Sequence, residues 1–292
     1  MKRKLFGRNN VFKIVEKREL NEQVTLMVID APLIAKKAKA GQFIIFRTDE
    51  LGERVPLTIA DYDGDKGTIT IIFQKVGKST MQLGLMNEGD YVLDVVGPLG
   101  TPTHFGEGIK RAAVIGGGVG CAIAYPSAKA LYNMGVKVDL IAGFRSKDIV
   151  ILEDEMRAVS DNLYITTDDG SYGTKGFVTN KLQELIDAGN NYDVVIAIGP
   201  VPMMKFVCGV TRPYNINTIV SLNPIMIDGT GMCGGCRVTV GGKTKYACVD
   251  GPDFNGFEVD FDELIRRNSA YRAQEAEAKA HICRLTGGVR NA

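Results

Sequence analysis

The stretch RAAVIGGGVGC, residues 111–121, decides the fold of this chain. Its apolar residues Ala112 to Ile115 predict a short buried strand, and a glycine-rich turn follows that strand directly. A helix from Ala122 to Met134 is predicted to follow the turn. A strand that passes through a glycine turn into a helix is typical of the first unit of a parallel α/β sheet.

Strand and helix patterns alternate after this unit, as they do in doubly wound parallel sheets. The predicted strands are Val136–Ala142, Leu163–Thr167, Val194–Ile198 and Thr218–Ser221. The predicted helices between them are Leu152–Val159, Val178–Ala188 and Pro202–Thr211. We therefore expect an α/β domain over residues 106–223.

The residues before this domain carry six short apolar runs with period-two character, separated by turns rich in Gly, Asn and Asp. The runs are Val11–Val15, Val24–Ile29, Gln42–Phe46, Val55–Ile59, Thr68–Phe73 and Tyr91–Val96. One short helix, Ser79–Leu85, is predicted before the last run. Six strands in succession predict a β-barrel domain over residues 1–105.

Length and charge limit the classes of function. The chain has 292 residues, and its 35 Lys and Arg balance 34 Asp and Glu to a net charge of +1. A near-neutral chain is not expected to bind nucleic acid. The longest nearly apolar run, Ala112 to Tyr125, is shorter than the ~20 residues of a membrane span. The basic start, Met1 to Arg8, lacks a following apolar segment, which predicts a cytoplasmic protein with no membrane association.

Three of the six cysteines lie within 16 residues of each other near the end of the chain. In a reducing cytoplasm, clustered cysteines indicate a metal site more often than disulfides. The spacing is Asp228-x4-Cys233-x2-Cys236-x11-Cys248. Plant-type two-iron, two-sulfur ferredoxins use Cys-x4-Cys-x2-Cys and a distant fourth cysteine, and this chain has aspartate in the first position. Three thiolates and one carboxylate would give a cluster four anionic ligands.

Glycines within this segment let the backbone bend around a cluster and free N–H groups to face its sulfurs. A zinc ion on the same four residues is an alternative, and a disulfide is another. The loop-like order of the cysteines favours iron and sulfur. Residues 224–259 are too few to bury a core of their own, so a metal centre is expected to hold them together. The remaining cysteines, Cys121, Cys208 and Cys283, lie on predicted helices and are expected to be buried, inert thiols.

The end of the chain carries a helix signal. Asp260, followed three positions later by Glu263, resembles a capping box and predicts one helix of about 25 residues, Phe261–Leu285, within a C-terminal arm over residues 260–292. The alanine-rich face of this helix is weakly apolar. A solvated helix and an arm that lies on a partner subunit both fit this pattern.

The glycine turn of the α/β domain is a candidate dinucleotide site. Backbone N–H groups over Gly116–Gly120, together with the dipole of the following helix, are suited to a pyrophosphate. The turn has Cys121 where the G-x-G-x-x-G fingerprint has its third glycine, and the second strand ends at Arg145 without the acidic residue that would hold a ribose hydroxyl. A purely structural turn therefore stays an alternative.

Further candidates follow other strands of the predicted sheet. Asp168, Asp169 and Gly170 follow one strand and Gly199 with Pro200 follows another, at the edge where open α/β sheets bind ligands. Arg145 at the same edge suits the 2′-phosphate of NADPH, although an ordinary surface arginine is commoner. The sequence leaves the preference between NADH and NADPH open.

Two segments of the predicted barrel are candidates for a second nucleotide. Residues 54–58, RVPLT, lie on a strand, and residues 77–80, GKST, enter the short helix. A helix that begins with glycine, lysine and two hydroxyls can hold a diphosphate, and an ordinary helix cap has the same composition.

The barrel, the α/β domain opening with GGGVG and the cysteine segment together resemble the ferredoxin–NADP reductase superfamily. Within it, the chain is similar to the electron-transfer subunits of dihydroorotate dehydrogenase and, more closely, to the small subunits of NADH-dependent reduced ferredoxin:NADP oxidoreductases. The resemblance runs from Val11 to about Leu285. Its most specific parts are VPLTIADYD at 55–63, TDDGSYGTKG at 167–176, GPVPMM at 199–204, and DGTGMCGGC with CVDGP within 228–252.

The resemblance implies that the barrel binds FAD. The residues it implies for FAD are Arg54, Pro56, Leu57, Thr58, Ile72, Phe73, Gly77, Lys78, Ser79 and Thr80. The Arg-x-Tyr-Ser motif of the superfamily falls on residues 55–58, so Val55 replaces its arginine and Leu57 its tyrosine, while Arg54 stands one place earlier.

The resemblance also implies that the α/β domain binds NAD(H) and that the cysteine segment binds a [2Fe–2S] cluster. The residues implied for NAD(H) are Gly116, Gly117, Gly118, Val119, Gly120, Arg145, Asp168, Asp169, Gly170, Gly199, Pro200 and Met203. The Cys-Gly pair that usually lies near the nicotinamide is Ile198-Gly199 here. The implied iron ligands are Asp228, Cys233, Cys236 and Cys248, and no side chain is expected to act as a catalytic residue.

By this resemblance, the chain is expected to be an electron-transfer flavoprotein subunit of an NAD(P)H-dependent oxidoreductase, passing electrons between NAD(H), FAD and the cluster. A larger flavin and iron–sulfur subunit would complete a heterodimer, serve ferredoxin and NADP(H), and take part in electron bifurcation. Two alternatives remain open at this point. One is a zinc-stapled nucleotide-binding regulatory protein, and the other is an NADH:acceptor reductase that acts without a large subunit.

Overall fold

The computed structural model describes residues 12–285, with side chains up to residue 280. Met1 to Arg8 and the side chain of Cys283 lie outside the described residues. Two seven-stranded sheets and one two-stranded hairpin make up the strands. Among the described residues, no helix is long and apolar enough to cross a membrane.

The first sheet is antiparallel and consists of the strands that precede residue 100. They are β1 (Phe12–Glu19), β2 (Val24–Asp30), β3 (Phe43–Arg47), β4 (Val55–Asp63), β5 (Thr68–Gln74), β6 (Tyr91–Val92) and β7 (Asp94–Leu99), with helices α1 (Pro32–Ala35) and α2 (Lys78–Leu85) between them. Their order is β6-β1-β2-β5-β4-β3-β7. The expected barrel domain is therefore present.

The barrel has seven strands instead of six because the last apolar run divides at Leu93. The segment before Leu93 pairs with β1, and the segment after it pairs with β3. These two short strands form opposite edges of the sheet, yet they are consecutive in the chain. The sheet therefore curls until its edges nearly meet, which leaves few unpaired backbone groups.

Alternate residues of these strands fill the barrel. Met27, Phe46, Ile59, Ile71 and Phe73 are almost completely buried in it. Each such side chain contributes roughly 1.5–3 kcal/mol to folding relative to an exposed one. The period-two pattern of the sequence therefore becomes the inward face of the barrel.

The second sheet contains the strand that begins at Arg111, in the stretch 111–121 that decides the fold. The elements after residue 110 are β8 (Arg111–Gly117), α3 (Gly120–Asn133), β9 (Lys137–Phe144), α4 (Glu153–Arg157), β10 (Asn162–Thr167), β11 (Thr174–Lys175), α5 (Val178–Asp187), β12 (Val194–Ile198), α6 (Val201–Thr211), β13 (Asn217–Ser221), β14 (Arg237–Val240), β15 (Lys243–Tyr246), β16 (Asp253–Asn255), α7 (Phe261–Asn268) and α8 (Arg272–Leu285). The sheet order is β11-β10-β9-β8-β12-β13-β16. All neighbours are parallel except β16, which runs antiparallel to β13.

Successive strands are added on one side of β8 from β9 to β11 and on its other side from β12 onward. The gap between β8 and β12 is therefore the switch point of the doubly wound fold. The start of α3 packs against the end of β12 there. A Cβ on Gly120 would lie 2.5 Å from the carbonyl oxygen of Ile198, so only glycine allows this approach. The glycine turn is thereby fixed at the carboxyl edge of the sheet.

The cysteine segment lies between β13 and β16 and contains the hairpin of β14 and β15. On one side, Phe43 and Ile45 of the barrel pack with Cys236 and Cys248. On the other side, the hairpin valines Val238 and Val240 join the core of the parallel sheet. The segment thus folds against both sheets, as expected for a stretch too small to bury a core alone.

The prediction of one C-terminal helix over Phe261–Leu285 is wrong, because the chain breaks between α7 and α8. The hydroxyl of Ser269 donates to the carbonyl of Arg266 at 2.7 Å, and tight turns follow. Serine competes for backbone groups in this way and interrupts helices. The predicted cap is confirmed, since the Asp260 carboxylate accepts from the Glu263 N–H at 2.8 Å. Most residues of α8 up to residue 280 are exposed.

A buried carboxyl group connects the two sheets. Asp253 at the start of β16 accepts a hydrogen bond of 2.5 Å from the hydroxyl of Thr103, in the segment between the sheets. Its other oxygen, Oδ1, is buried without a hydrogen-bond partner. Burial raises the pKa of Asp253, and the hydroxyls of Ser221 and Thr103 offset only part of this effect. The fold therefore favours the protonated acid.

We predict that the wild type loses stability as pH rises and that Asp253→Asn does not show this loss. The native state keeps a proton that the unfolded chain releases near pH 4, so the free energy of unfolding falls as pH rises from about 4 through the raised pKa. The neutral amide has no such loss. Thermal unfolding between pH 4 and pH 8 should show the variant gaining in Tm relative to the wild type as pH rises.

The matched control is Asp65→Asn at an exposed aspartate of a barrel turn. It should follow the wild-type curve. Parallel curves for Asp253→Asn and the wild type across this range would contradict the protonated, buried state of Asp253.

Candidate functional site

A cavity of about 1250 Å³ lies between the barrel and the parallel sheet. Residues of β4 and β5 form one wall, and the glycine turn with the carboxyl ends of β9, β10 and β12 forms the other. Pockets for a single drug-sized ligand measure about 300–1,000 Å³, so this cavity is larger than such a pocket. Its size and its position at the switch point suit two nucleotides held next to each other.

Most of the residues predicted to bind nucleotides line this cavity. From the barrel these are Pro56, Leu57, Thr58, Ile72, Phe73 and Thr80, and from the parallel sheet Gly117, Gly118, Val119, Gly120, Arg145, Asp168, Gly199, Pro200 and Met203. The remaining candidates do not line it: Arg54, Gly77, Lys78, Ser79, Gly116, Asp169 and Gly170.

The glycine turn faces the cavity through its backbone. Gly118 has a φ of +58° and donates its N–H to the carbonyl of Gly143 at 2.8 Å, which joins the turn to the end of β9. A Cβ on Gly117 would lie 2.5 Å from the sulfur of Met203. Cys121 and Ala122, in the first turn of α3, donate their N–H groups to the carbonyls of Gly118 and Val119 at 3.1 and 3.0 Å. The turn therefore offers an anion mainly the positive end of the helix dipole.

A second turn, from Val76 to Thr80, borders the cavity on the barrel side. The Thr80 hydroxyl accepts from the N–H groups of Val76 and Gly77 at 3.2 and 3.1 Å. Ser79 is buried and donates to the carboxylate of Glu53 at 2.7 Å. Thr80 therefore fixes the shape of the turn, and Ser79 ties it to the segment before β4.

Arg54 lies on the cysteine segment and does not line the cavity. Its Nε donates to the carbonyl of Ile227 at 3.1 Å, and its Nη2 donates to the carbonyl of Asp228 at 3.0 Å. The guanidinium therefore connects the strand of the cavity wall to the first predicted iron ligand.

The thiols of Cys236 and Cys248 form a buried pair with sulfur atoms 3.2 Å apart. Burial and the neighbouring Cys236 thiol raise the pKa of Cys248 to about 12. Cys233 is exposed, and the N–H of Gly235, 3.5 Å from its sulfur, lowers the pKa of its thiol. Donors aimed at sulfur are what the thiolate ligands of a cluster require.

The Asp228 carboxylate is directed into its own loop. Its Oδ2 accepts from the N–H and the hydroxyl of Thr230 and from the N–H of Met232. The hydroxyl and N–H of Thr230 lower the pKa of this exposed group, as do Met232 and Arg54. The carboxyl is therefore ionised at neutral pH, and the three hydrogen bonds all reach one oxygen.

The donor set fits two metal ions better than one. Among the residues that the structure describes, no group of three or more His, Cys, Asp or Glu side chains could hold a single metal ion. The tetrahedral zinc site would need all four donors around one point. One cysteine pair at 3.2 Å, with Cys233 and Asp228 elsewhere on the same loop, matches ligands divided between two irons.

Sequence patterns missed part of the cavity wall. The missed residues are Phe43, Gln74, Val76, Thr166, Ser221, Leu222, Asn223, Pro224, Met226 and Pro252, among others. Thr166 lies at the end of a predicted strand, directly before the TDDG segment, and this position was a usable sequence signal. In the structure its buried hydroxyl has no hydrogen-bond partner. Ser221, Leu222, Asn223 and Pro224 lie at the carboxyl end of β13, so the strand-end rule was a usable signal for them as well. Pro252 reaches the wall because β16 returns to β13, which no local pattern indicates.

Two protein families match parts of the chain. Residues 114–209 match the oxidoreductase NAD-binding domain, and residues 223–260 match the iron–sulfur cluster binding domain of dihydroorotate dehydrogenase B. The first match contains the glycine turn, and the second contains all four predicted iron ligands. The expected NAD-binding and iron–sulfur domains are thereby confirmed.

Curated relatives extend over nearly the whole chain. An uncharacterized protein in the adh 3′ region of Clostridium beijerinckii is 52% identical over 279 residues, which cover 93% of this chain and 94% of the relative. A dihydroorotate dehydrogenase B (NAD(+)) electron transfer subunit homolog of Thermotoga maritima is 48% identical over 94% of this chain and 96% of its own length. The corresponding electron transfer subunit of Geobacillus thermodenitrificans is 35% identical over 87% and 99%.

Solved structures agree with these relatives. The structure of an NADH-dependent reduced ferredoxin-NADP oxidoreductase, studied for flavin-based electron bifurcation, contains a chain with 45% identity and a TM-score of 0.88, over 95% of this chain and 99% of that chain. The cytochrome b5 reductase domain of Ulva prolifera nitrate reductase shares the fold at 20% identity and a TM-score of 0.53, over 68% and 89%. The chain therefore belongs to the family of dihydroorotate dehydrogenase B electron transfer subunits and their homologues, within the ferredoxin reductase-like superfamily.

Proposed function

We propose that this chain is the electron-transfer flavoprotein subunit of a heteromeric NADH-dependent reduced ferredoxin:NADP oxidoreductase. The observation that carries the proposal is that the nucleotide cavity and the cysteine pair share side chains. Phe43 and Met226 line the cavity, and the same two residues pack with Cys236 and Cys248. A flavin in the cavity is then about one side chain away from the cluster.

The two walls of the cavity divide the nucleotides between them. The glycine turn and the start of α3 hold the pyrophosphate of NAD(H), with Asp168, Gly199 and Met203 along the same edge. Leu57, Thr58 and the turn fixed by Thr80 hold FAD against the barrel. When bound, FAD supplies the exchange of two electrons with a nicotinamide and of single electrons with a cluster.

The protein residues position the nucleotides and exclude water, and none of them needs to form a covalent bond. Apolar side chains such as Ile72, Phe73 and Met203 enclose the space between the two walls. The sheet side would hold the nicotinamide and the barrel side would hold the flavin, so these residues would bring the two groups together. FAD would supply the acceptor for a hydride, which needs a close approach of the reacting groups.

Asp228, Cys233, Cys236 and Cys248 are the proposed ligands of a [2Fe–2S] cluster. Cys236 and Cys248, as the buried pair, would hold one iron, and Cys233 with Asp228 would hold the other. Because the described hydrogen bonds of the Asp228 carboxylate all go to Oδ2, Oδ1 is left for the metal. A carboxylate is a harder donor than a thiolate, so it alters the reduction potential of the cluster.

A larger flavin and iron–sulfur subunit is the proposed partner, through which ferredoxin and NADP(H) react and electrons bifurcate. The relative from Geobacillus thermodenitrificans supports this, because it is named an electron transfer subunit, and the Thermotoga maritima relative is named a homolog of one. The five cysteines with described side chains are all free thiols, which supports a cytoplasmic location. A fully active monomer isolated from native cells would contradict the partner and favour a self-sufficient NADH:acceptor reductase.

We predict that Cys236→Ala abolishes the cluster, because it removes a buried ligand of one iron. Iron and sulfide content and visible absorbance of anaerobically purified protein measure this, with Cys208→Ala as a control at a buried cysteine outside the loop.

Asp228→Cys should keep a cluster with a shifted potential, and Asp228→Ala should change the electron paramagnetic resonance (EPR) spectrum. An unchanged spectrum in Asp228→Ala would exclude Asp228 as a ligand, and zinc without flavin absorbance would favour the regulatory protein.

We predict that Thr80→Val weakens FAD binding by about ten- to a hundredfold. The valine removes the acceptor that fixes the N–H groups of Val76 and Gly77, so the free protein no longer holds the turn in its binding shape. Restoring that shape on binding costs about 1–3 kcal/mol, and 1.4 kcal/mol corresponds to a tenfold change in affinity. Flavin fluorescence titration of the apoprotein measures the Kd. Thr48→Val, at a threonine outside the cavity, should bind FAD like the wild type. An unchanged Kd in Thr80→Val would contradict the assignment of FAD to this turn.

A further inference from the structure

We propose that Arg54 is a positioning residue of the iron–sulfur site, which holds the ligand loop against the barrel and raises the reduction potential of the cluster through its positive charge. This assignment rests on the proposed function, because it concerns the cluster proposed for Asp228 and the three cysteines. No described residue other than Arg54 donates a guanidinium to both carbonyls at the start of that loop.

The direction of the Arg54 side chain is the first part of the evidence. Arg54 stands directly before β4, whose residues Leu57 and Thr58 line the cavity, yet Arg54 itself does not line it. Its guanidinium instead bridges the carbonyls of Ile227 and Asp228, at 3.1 and 3.0 Å. The planar fork of arginine suits two adjacent acceptors, and lysine has no such geometry.

Arg54 places its positive charge next to a proposed iron ligand. Its guanidinium donates to the carbonyl of Asp228 itself at 3.0 Å and to the carbonyl of the preceding residue at 3.1 Å. The charge therefore lies on the ligand loop and acts on the cluster through space.

The sign of the effect follows from the charge of the cluster. Reduction adds an electron, and a nearby positive charge stabilises the more negative state. Arg54 therefore raises the reduction potential, which makes the cluster a better electron acceptor for a flavin in the adjacent cavity.

Arg54 also helps to hold the loop on the barrel, next to a close backbone contact at Gly229. A Cβ on Gly229 would lie 2.9 Å from Ile45 and 3.0 Å from Leu99, so the loop backbone presses directly on the barrel. Glu53, next to Arg54, is held by the Ser79 hydroxyl at 2.7 Å. Arg54 thus extends from a segment anchored at α2, and its two hydrogen bonds set the distance between cavity wall and loop.

The test is an EPR-monitored redox titration of the holoprotein, with FAD, iron and sulfide content measured in parallel. Arg54→Met keeps the length of the side chain and removes its charge and donors. We expect this variant to retain FAD and to have a lower midpoint potential of the cluster. The expected shift is a three- to tenfold change in the one-electron equilibrium constant, which is at most about 59 mV. Arg54→Lys keeps the charge without the fork, and its potential should fall between the two.

Arg212→Met is the matched control, because Arg212 also donates to a backbone carbonyl, that of Phe257, outside the loop. Its cluster potential should equal that of the wild type. If Arg54→Met loses the cluster but keeps FAD and its Tm, the positioning role is supported, and Arg54→Lys then reports the potential. Loss of FAD with an unchanged potential would overturn the proposal and assign Arg54 to the flavin diphosphate.

An unchanged potential with full FAD in both Arg54 variants would also overturn it. The proposed function fails separately, since a wild-type protein without iron and sulfide has no cluster for Arg54 to act on. A wild type that contains the cluster, with variants that match its potential, contradicts the role of Arg54 alone.

Discussion

The antiparallel pairing of β16 with β13 is the constraint on which the site depends. The chain leaves the parallel sheet at Ser221 and returns beside that residue at Asp253. Everything between them, including all four proposed iron ligands, is thereby held at one edge of the sheet and against the barrel. The contacts of Phe43 and Met226 with both the cavity and the cysteine pair exist because of this return.

The sequence predicted the elements whose signals are local. The apolar strand before Gly116, the glycine turn and the helix after it depend on neighbouring residues, and β8 with α3 appears at the expected place. The division of the last barrel run at Leu93 depends on pairing with β1 at one edge and β3 at the other. The break at Ser269 depends on a side-chain hydrogen bond, which helical periodicity does not reveal.

The candidate site shows the same division between local and long-range information. Asp168 and Gly199 follow parallel strands, whose carboxyl ends always meet at one edge, so their approach to the cavity could be predicted. Arg54 stands 173 positions before Ile227, and its direction toward the cysteine loop is decided by how barrel and loop pack. The resemblance, which assigns Arg54 to FAD, therefore gave no indication that Arg54 contacts the cysteine loop.

In the proposed assignment, two nucleotides share the cavity, and the cysteine loop lies next to its wall at Phe43 and Met226. This arrangement would give electrons a continuous route from the carboxyl edge of the sheet to the cysteine loop. The most direct test is anaerobic addition of NADH to the purified holoprotein, followed by visible absorbance and EPR spectroscopy. The account predicts bleaching of flavin absorbance together with the signal of a reduced [2Fe–2S] cluster. Bound FAD and iron that both stay oxidised after NADH is added would contradict it.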